Sequence, residues 1–388
     1  MTNFDFSKNF NIFYKTISSL NGSIVVYGNG TIGKTIQALI PDKVIGYVDI
    51  AVKENHPSTL KSMQFDKIII SVLGREKEIT KYLLEDLQID KNKIIIFDID
   101  DININEYCLD NIIELKYKEF SISLPSYNDI PRCKQLFKKY DKFLPHLATY
   151  IKNNESIIDI GANVGDSLAG MIEENENCSY LCIEADEYFF DFLCKNIEII
   201  KNEIKSTKIF LNNSLVGKNI TNVSLEGTRG TKHAVIDSGG KIQSKPLDEI
   251  ISMYPGIDNI RLIKSDVDGF DYDVINSSLE IIQKYKPLIF FECQYDFEWQ
   301  LNGYFETLIK LNGEGYDKWL LLDNFGDIML QTNDMNTINQ LLKYIYRQNI
   351  DQSTRTIYYF DILAIHKDDK LDINDLVSKF LSKFNKGN

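Results

Sequence analysis

Apolar runs rich in β-branched residues alternate with amphipathic segments along most of the chain. Two of these runs lead into a glycine-rich turn and then a helical pattern: SIVVYGNGTIGKTIQALI from Ser23 and SIIDIGANVGDSLAGMI from Ser156. Each has the order of buried strand, tight turn and helix that opens a doubly wound α/β sheet. The pattern therefore predicts an α/β protein with two Rossmann-like domains in tandem.

The first domain is expected over residues 1–105, with further parallel strands at 44–50, 66–73 and 93–98. Short Ile/Val runs of this kind suit strands that are covered on both faces. Residues 106–150 carry two prolines and an apparent helix, and we expect a linker or lid there.

Residues 151–388 form the second predicted domain. Its strands are expected at 156–160, 179–184, 207–212, 260–266, 287–292, 317–323 and 357–366, and its helices at 165–174, 187–201, 271–285, 300–312 and 334–348. Seven strands that end in an antiparallel pair follow the plan of the class I methyltransferase fold, a mostly parallel sheet.

Composition and charge limit the kinds of partner that the chain is expected to bind. The 388 residues include 43 basic and 56 acidic side chains, a net charge of −13. Because a broad grip on nucleic acid needs a basic surface, we expect no nucleic-acid partner. The start, MTNFDFSKNF, lacks the features of a secretory leader, and no apolar run reaches the length of a membrane span. We therefore expect a cytoplasmic chain with reduced thiols.

The turn DIGANVGD, residues 159–166, carries the strongest chemical signal. Its glycines allow the backbone to pass close to a ligand, and the following helix offers free N–H groups. Glu184 ends the next strand, where a carboxylate accepts hydrogen bonds from ribose hydroxyls. An acid at this place is also expected for NAD, so the two features leave the kind of nucleotide open.

Further motifs follow in the same domain: IEADEYFFDFLCKNI, KPLDEI, IKSDVDGFDYDVI and PLIFFE. With IIDIGANVGDS they resemble, in order and spacing over residues 145–366, the FkbM family of S-adenosylmethionine-dependent methyltransferases. The resemblance implies O-methyl transfer. It departs from the family at Ala185, where proline is common, and at Asp268 and Asp271, where glutamate is common.

The resemblance also implies residue roles. Four residues of the turn are expected around the methionine part of S-adenosylmethionine, and Glu184 at the ribose. Asp266 is expected where the donor methyl meets the acceptor oxygen. The full set of expected donor-binding residues is Asp159, Gly161, Asn163, Gly165, Glu184, Asn213 and Ser214, the last two at the adenine.

Methyl transfer to an alcohol is helped by a group that takes the proton. Asp266 is the first candidate, and His233, in a glycine-rich insert, is a second; a solvated hairpin residue is the alternative for His233. Asp266 and Glu292 end adjacent predicted strands and together suit one Mg²⁺-like ion. The alternative is that Asp266 caps a turn and Glu292 only shapes the cleft.

The first glycine motif has the features of a dinucleotide fingerprint: Gly28, Gly30 and Gly33 follow a strand, and Asp49 comes about 20 residues later. It resembles small Rossmann-like modules of bacterial sugar-modifying enzymes, which are associated with nucleotides or nucleotide-sugars. The sequence leaves open whether this module binds such a ligand or serves as a scaffold or dimerisation module.

We therefore expect an O-methyltransferase that acts on a hydroxyl of a nucleotide-sugar, a surface glycan of polysaccharide biosynthesis or a related small molecule. A homo-oligomer is compatible with this reading. Two alternatives remain: a catalytically inactive nucleotide-binding scaffold, and an NAD(P)-dependent nucleotide-sugar oxidoreductase that uses the first motif. Tyr295, Phe297 and Trp299 stack on sugar faces in one interpretation and pack in the core in the other.

Overall fold

The computed structural model describes residues 17–50, 52–72, 76–96, 112–125, 128, 130–218, 223–226, 233–236, 242–350 and 357–384. The chain divides into two compact units, residues 1–111 and 112–388. Each unit is described by itself below.

The first unit contains a four-stranded parallel sheet with strand order β2-β1-β3-β4. Alternate residues of β1 enter two separate apolar clusters, so both faces of the sheet are covered. This burial explains the continuous Ile/Val runs. The elements are β1 (Ile24–Tyr27), α1 (Thr31–Leu39), β2 (Val44–Val48), β3 (Lys67–Ile70), α2 (Glu76–Glu85) and β4 (Ile94–Ile96).

The second unit is built on an eight-stranded sheet with order β17-β16-β18-β15-β14-β7-β8-β9. The sheet strands are β7 (Ser156–Ile160), β8 (Ser179–Ile183), β9 (Lys208–Asn212), β14 (Ile260–Ser265), β15 (Leu288–Gln294), β16 (Tyr316–Asp323), β17 (Ile328–Thr332) and β18 (Tyr359–His366). Shorter strands are β5 (Ile112–Lys116), β6 (Ser121–Pro125), β10 (Leu215–Val216), β11 (Val223–Glu226), β12 (His233–Ile236) and β13 (Ser244–Lys245).

Ten helices among the described residues of this unit surround the sheet. They are α3 (Ile130–Leu136), α4 (Phe143–Ala148), α5 (Asp166–Glu174), α6 (Glu187–Glu203), α7 (Leu247–Ser252), α8 (Asp271–Ser277), α9 (Leu279–Tyr285), α10 (Glu298–Gly313), α11 (Met335–Ile350) and α12 (Ile373–Ser382).

The strand order confirms the predicted class I methyltransferase fold. From β7 the chain runs outward through β8 and β9, then returns to β14 on the other side of β7. Ligands of open α/β sheets bind at such a reversal, beyond the carboxyl ends of the strands. We call this edge the carboxyl edge; it is where the glycine turn and the predicted acids lie.

The far end of the sheet holds a strand that the sequence pattern did not predict. The turn at 323–327 joins β16 to β17, whereas β18 lies between β16 and β15 and is antiparallel to both. The single helix expected over 271–285 is two short helices that meet at Ser278, whose hydroxyl donates to the carbonyl of Val274 at 2.7 Å. A serine that bonds back to its own helix in this way favours a bend.

Residues 112–148 belong to the second unit, although the sequence suggested a linker or lid. The β5–β6 hairpin is fixed by the buried side chain of Asn196, which accepts from the Ser123 N–H at 2.7 Å and donates to its carbonyl at 2.9 Å. Phe120 and Phe143 enter the same apolar cluster as Leu262. We call the side of the sheet that this hairpin covers the hairpin face.

No helix within the described ranges is long and apolar enough to cross a membrane.

Candidate active site

The glycine turn after β7 has a backbone that side chains would obstruct. Gly161 has a φ of +74° and Gly165 a φ of +87°. A Cβ on Gly161 would lie 1.9 Å from the carbonyl oxygen of Asp266. The turn therefore passes directly against the end of β14 and delivers the chain to the N-terminus of α5.

Glu184, just after β8, is held by this turn. Its Oε2 accepts from the Asn163 N–H at 2.8 Å, and its Oε1 accepts from the Asp186 N–H at 2.8 Å. Burial raises the pKa of Glu184, and these two hydrogen bonds oppose that shift. Each oxygen retains a further lone pair, so the carboxylate can still accept from another donor.

The loop after β9 reaches the same place. The side chain of Asn213 donates to the carbonyl of Glu184 at 2.8 Å, and the Glu184 N–H donates to the carbonyl of Asn212 at 3.1 Å. Ser214 follows and is half-buried. Hydrogen bonds thus link Asn163, Glu184 and Asn213, three of the seven residues expected at the donor.

A buried ion pair that sequence reasoning missed lies beneath the turn. Lys264 Nζ is 3.0 Å from Asp159 Oδ1, donates to the Gly161 carbonyl at 3.0 Å, and is 3.6 Å from Asp266 Oδ2. Burial alone would lower the pKa of Lys264, but Asp159 and Asp266 raise it above its usual value. Lys264 is therefore charged and fixes the turn to both acids.

Acidic side chains continue along the carboxyl edge. Ser265 of β14 pairs with Phe291 of β15, which places Asp266 beside Glu292; Glu292 in turn lies opposite Asp361 of β18. Glu292 is 7% exposed, whereas the side chain of Asp266 is 50% exposed. Asp361 was missed in the sequence because only the strand order places it beside Glu292.

Two more carboxyls follow Asp266 in the chain. Burial, with the charge of Asp266 next, raises the pKa of Asp268 to about 7. Burial also raises the pKa of Asp271 to about 7, although the Ser265 hydroxyl donates to it at 2.6 Å. Both groups therefore titrate near neutral pH.

The segment between α3 and α4 adds Tyr140 and Asp141 to this region. Burial raises the pKa of Asp141 to about 6. Lys134, at 3.5 Å, opposes this rise, and the charges of Asp166 and Asp266 add to it. The charge of Asp141 also contributes to raising the pKa of Asp361. Residues of the predicted linker thus face the acids of the sheet.

The other predicted residues have different outcomes. His233 begins β12, and its side chain lies outside the described residues. Within the part of the chain that the structure describes, no group of three or more His, Cys, Asp or Glu side chains is placed to hold a metal ion. Asp266 and Glu292 therefore gain no third ligand there, and we do not propose a metal.

The three aromatic residues near the end of β15 separate into two kinds. Tyr295 is fully buried, and its hydroxyl donates to the Leu342 carbonyl at 2.8 Å. Phe297 and Trp299 are 59% and 52% exposed, with nearly parallel rings 5.9 Å apart. Phe270, after β14, lies 5.8 Å from Trp299.

The first unit has the geometry expected of its glycine motif. Gly28 has a φ of +102°, and a Cβ on Gly33 would lie 2.0 Å from the Gly28 carbonyl oxygen. The Asn29 N–H donates to Asp49 Oδ2 at 2.8 Å. A Cβ on Gly30 would meet nothing within 4 Å.

The sheet order and the site at its switch point define the second unit as a class I methyltransferase fold. Residues 159–329 match the family model described as "Methyltransferase FkbM domain". This match over residues 159–329 confirms the resemblance predicted from the motifs.

Solved structures similar to this chain include methyltransferase FkbM from Methylobacillus flagellatus, at 15% identity over 73% of this chain and 82% of that chain, with a TM-score of 0.30. An O-methyltransferase from Bacillus cereus in complex with SAH is 12% identical over 58% and 80%, with a TM-score of 0.33. Precorrin-6y C5,15-methyltransferase from Geobacter metallireducens is 9% identical over 58% and 86%, with a TM-score of 0.30. No curated protein matches the chain.

Proposed function

We propose that residues 112–388 transfer a methyl group from S-adenosylmethionine to a hydroxyl oxygen of a sugar or a related small molecule. The observation that carries the proposal is the Glu184 carboxylate, which the glycine turn holds through the Asn163 N–H at 2.8 Å. A carboxylate held at the glycine turn in this way suits hydrogen bonds from ribose hydroxyls, which supports the proposal.

The residues present fit the donor. Asp159 is fully buried, and its Oδ2 has no hydrogen-bond partner within the described ranges. A buried acceptor of this kind is commonly satisfied by a ligand or an ordered water. We infer that Asp159, Gly161, Asn163 and Gly165 surround the methionine part of the donor.

Glu184 would then accept from the ribose hydroxyls. Asn213 and Ser214 would flank the adenine, because the Asn213 side chain already donates to the Glu184 carbonyl at 2.8 Å. These three residues come from the ends of β8 and β9, adjacent strands on one side of the switch point.

The acceptor would lie on the other side of the switch point, over β14 and β15. S-adenosylmethionine supplies an electrophilic methyl group, so the protein has mainly to orient the acceptor oxygen and to take its proton. Asp266 is suited to this because its side chain is half exposed, and the ammonium of Lys264 lies 3.6 Å from its Oδ2.

A sugar acceptor is supported by the exposed aromatic rings beside this region. Phe297 and Trp299 form a stacked pair, and Phe270 lies beside Trp299. Exposed aromatic faces of this size commonly mark a binding surface, and sugar rings present C–H faces that pack on them.

Donor binding tests the proposal directly. Calorimetric titration with S-adenosylhomocysteine should give one site per chain. Glu184→Gln should weaken binding by about 10- to 100-fold, since a hydrogen bond to a charged group contributes about 1.5–3 kcal/mol. The matched control is Glu187→Gln, an exposed residue at the start of α6, which should bind like the parent. Equal affinity of all three proteins would contradict the assignment of Glu184.

Turnover separates an enzyme from an inactive scaffold. Nucleotide-sugars and glycans incubated with protein and donor should gain the mass of one methylene, detected by mass spectrometry. Donor binding without any methylated product across sugar acceptors would favour the scaffold instead.

A second, nucleotide-type site in the first unit is favoured by one observation. The Asn29 N–H donates to Asp49 at 2.8 Å, the same contact that Asn163 makes with Glu184. The space beside Gly30 is open, as needed where a pyrophosphate approaches the backbone. Titration with UDP-glucose and with NADH tests this site, and Gly30→Val should abolish the binding of whichever ligand is held. Binding of neither ligand would leave this unit a scaffold.

A further inference from the structure

Two carboxyls lie directly opposite each other beyond the donor end of the site. Glu292 of β15 and Asp361 of β18 are register partners on adjacent antiparallel strands. Their neighbours Phe291 and Ile362 point into the core on the opposite side of the sheet, so both acids lie on the hairpin face. Like charges at opposed positions of a sheet are destabilising.

The described residues do not place a cation beside these two acids. Lys264 already lies 3.0 Å from both Asp159 and the Gly161 carbonyl. No lysine, arginine or histidine of the described ranges lies within ion-pair distance of Glu292 or Asp361. Within the described part of the chain, Glu292 and Asp361 therefore lack an ion-pair partner.

Glu292 gives an independent indication of a ligand. It is 7% exposed, and its buried Oε2 has no hydrogen-bond partner among the residues that the structure describes. A buried carboxylate oxygen without a donor is costly, and native sites of this kind are usually filled by a ligand or an ion.

Two tyrosines complete the surroundings of the pair. Burial raises the pKa of Tyr359, and the charges of Glu292 and Asp361 raise it further. Tyr140, from the segment between α3 and α4, also contributes to raising the pKa of Tyr359. Aromatic rings beside carboxylates are the combination that binds an ammonium group.

We propose, resting on the proposed methyl transfer, that the acceptor is an amino sugar or a similar alcohol with a primary amine, and that Glu292 and Asp361 bind its ammonium group. Glu292 lies one strand beyond Asp266, and adjacent strands are about 4.8 Å apart. One sugar ring spans that distance, so a bound ammonium places a neighbouring hydroxyl at Asp266.

Ammonium binding should release protons. Burial raises the pKa of Glu292, and Asp266, Asp268, Asp271 and Asp361 raise it further. The pair therefore holds a proton more tightly than ordinary carboxyls do, and an arriving ammonium favours the ionised form. Burial also raises the pKa of Asp361. The charges of Asp266, Asp141 and Asp271 raise this pKa further, and Lys264 opposes them.

The experiment uses the full chain saturated with S-adenosylhomocysteine, in EDTA so that no divalent cation competes. Glucosamine, galactosamine and mannosamine are titrated by calorimetry, each against its N-acetyl form, in phosphate and in Tris buffer. At least one amine should bind about tenfold or more tightly than its N-acetyl form, as for a charged hydrogen bond. Its heat should differ between the buffers because protons are released.

Variants assign the effect to the pair. Glu292→Gln and Asp361→Asn should each remove the preference for the amine and the dependence on buffer. Glu298→Gln, an exposed residue at the start of α10, removes the same charge nearby and should keep both.

Three results would overturn the proposal: no binding of any amine, equal binding of both members of each pair, or a preference that survives both variants. Equal loss of methyl transfer to amine and N-acetyl acceptors in the variants would also overturn it, because the pair would then act on the proton and not on recognition. Failure of the methyltransferase proposal itself is distinguishable, since S-adenosylhomocysteine would not bind in the first titration.

Discussion

Replacement of Lys264 by methionine tests the role of the buried ion pair most directly. The variant keeps the length and apolar stem of the side chain but removes the ammonium that lies 3.0 Å from Asp159. Asp159 is fully buried, so its carboxylate would be left without a cation. We expect a large loss of stability.

Two arguments give a similar magnitude. Removal of one partner of a buried ion pair costs about 3–5 kcal/mol. Alternatively, Asp159 takes up a proton, and at pH 7 this costs about 1.4 kcal/mol for each pH unit above an unfolded pKa near 4, or about 4 kcal/mol. The free energy of unfolding of Lys264→Met should therefore fall by about 3–4 kcal/mol at pH 7.

The pH dependence has a definite sign. In Lys264→Met the pKa of Asp159 is higher in the folded than in the unfolded state, because burial is no longer opposed by a cation. The folded variant then retains a proton that the unfolded chain releases, so its deficit grows as the pH rises above about 4. Between pH 7 and pH 5 about 2.7 kcal/mol of the deficit should be recovered.

Urea denaturation at both pH values measures this, with Lys286→Met as the matched control. Lys286 lies 2.8 Å from Asp368, but the two side chains are 49% and 61% exposed. An exposed pair of this kind contributes about 0–1 kcal/mol. If Lys264→Met loses no more stability than Lys286→Met, or if its deficit is the same at pH 5 and pH 7, the reasoning about burial is wrong.

Three further substitutions test the same edge of the sheet. Gly161→Ala should lower the free energy of unfolding by more than about 1 kcal/mol and abolish S-adenosylhomocysteine binding. The reason is that the φ of Gly161 is +74° and the new Cβ would lie 1.9 Å from the Asp266 carbonyl oxygen. Gly313→Ala, whose Cβ would meet nothing within 4 Å, is the control in denaturation and calorimetry. Asp266→Asn should lower kcat about 10²- to 10⁴-fold while donor affinity stays unchanged. An equal fall in kcat and donor affinity would contradict a role of Asp266 in proton transfer. Asp268→Asn should raise the free energy of unfolding at pH 8 by up to about 4 kcal/mol and leave it unchanged at pH 4. The reason is that the pKa of this carboxyl is about 7 in the folded protein and about 4 in the unfolded chain, so the folded parent loses stability as the pH rises from 4 to 7; denaturation curves at the two pH values check this.

Local sequence signals predicted the strands and the donor end of the site. The Ile/Val runs gave nearly all strands of both units, because burial on both faces leaves a continuous apolar pattern. The glycine turn at 161–165 and Glu184 were predicted because each is marked by its own residue type at a strand end. These signals need no knowledge of the strand order.

The acceptor end was predicted less completely because it depends on that order. Asp361 comes late in the chain and meets Glu292 only because β18 lies between β15 and β16. Asp141 was assigned to a linker, and nothing local to it indicates contact with the sheet. Lys264 lies two positions before Asp266, so period-2 alternation could have placed both side chains on one face.

Comparison of the two glycine motifs suggests a test of whether the ion pair serves the proposed site or the fold. The first unit makes the same contact between its turn and its acid, from the Asn29 N–H to Asp49. Where Asp159 pairs with Lys264 in the second unit, the first unit has Val26 paired with Ile69.

A strand–turn–helix of this design therefore folds with an apolar pair at that position, and replacement of a buried ion pair by apolar residues is often neutral or stabilising. The double variant Asp159→Val with Lys264→Ile should accordingly unfold at a urea concentration close to that of the parent. It should nevertheless fail to bind S-adenosylhomocysteine in calorimetry, because the carboxylate expected beside the methionine part of the donor is gone. A stable double variant that binds the donor with parental affinity would assign the pair to the fold alone.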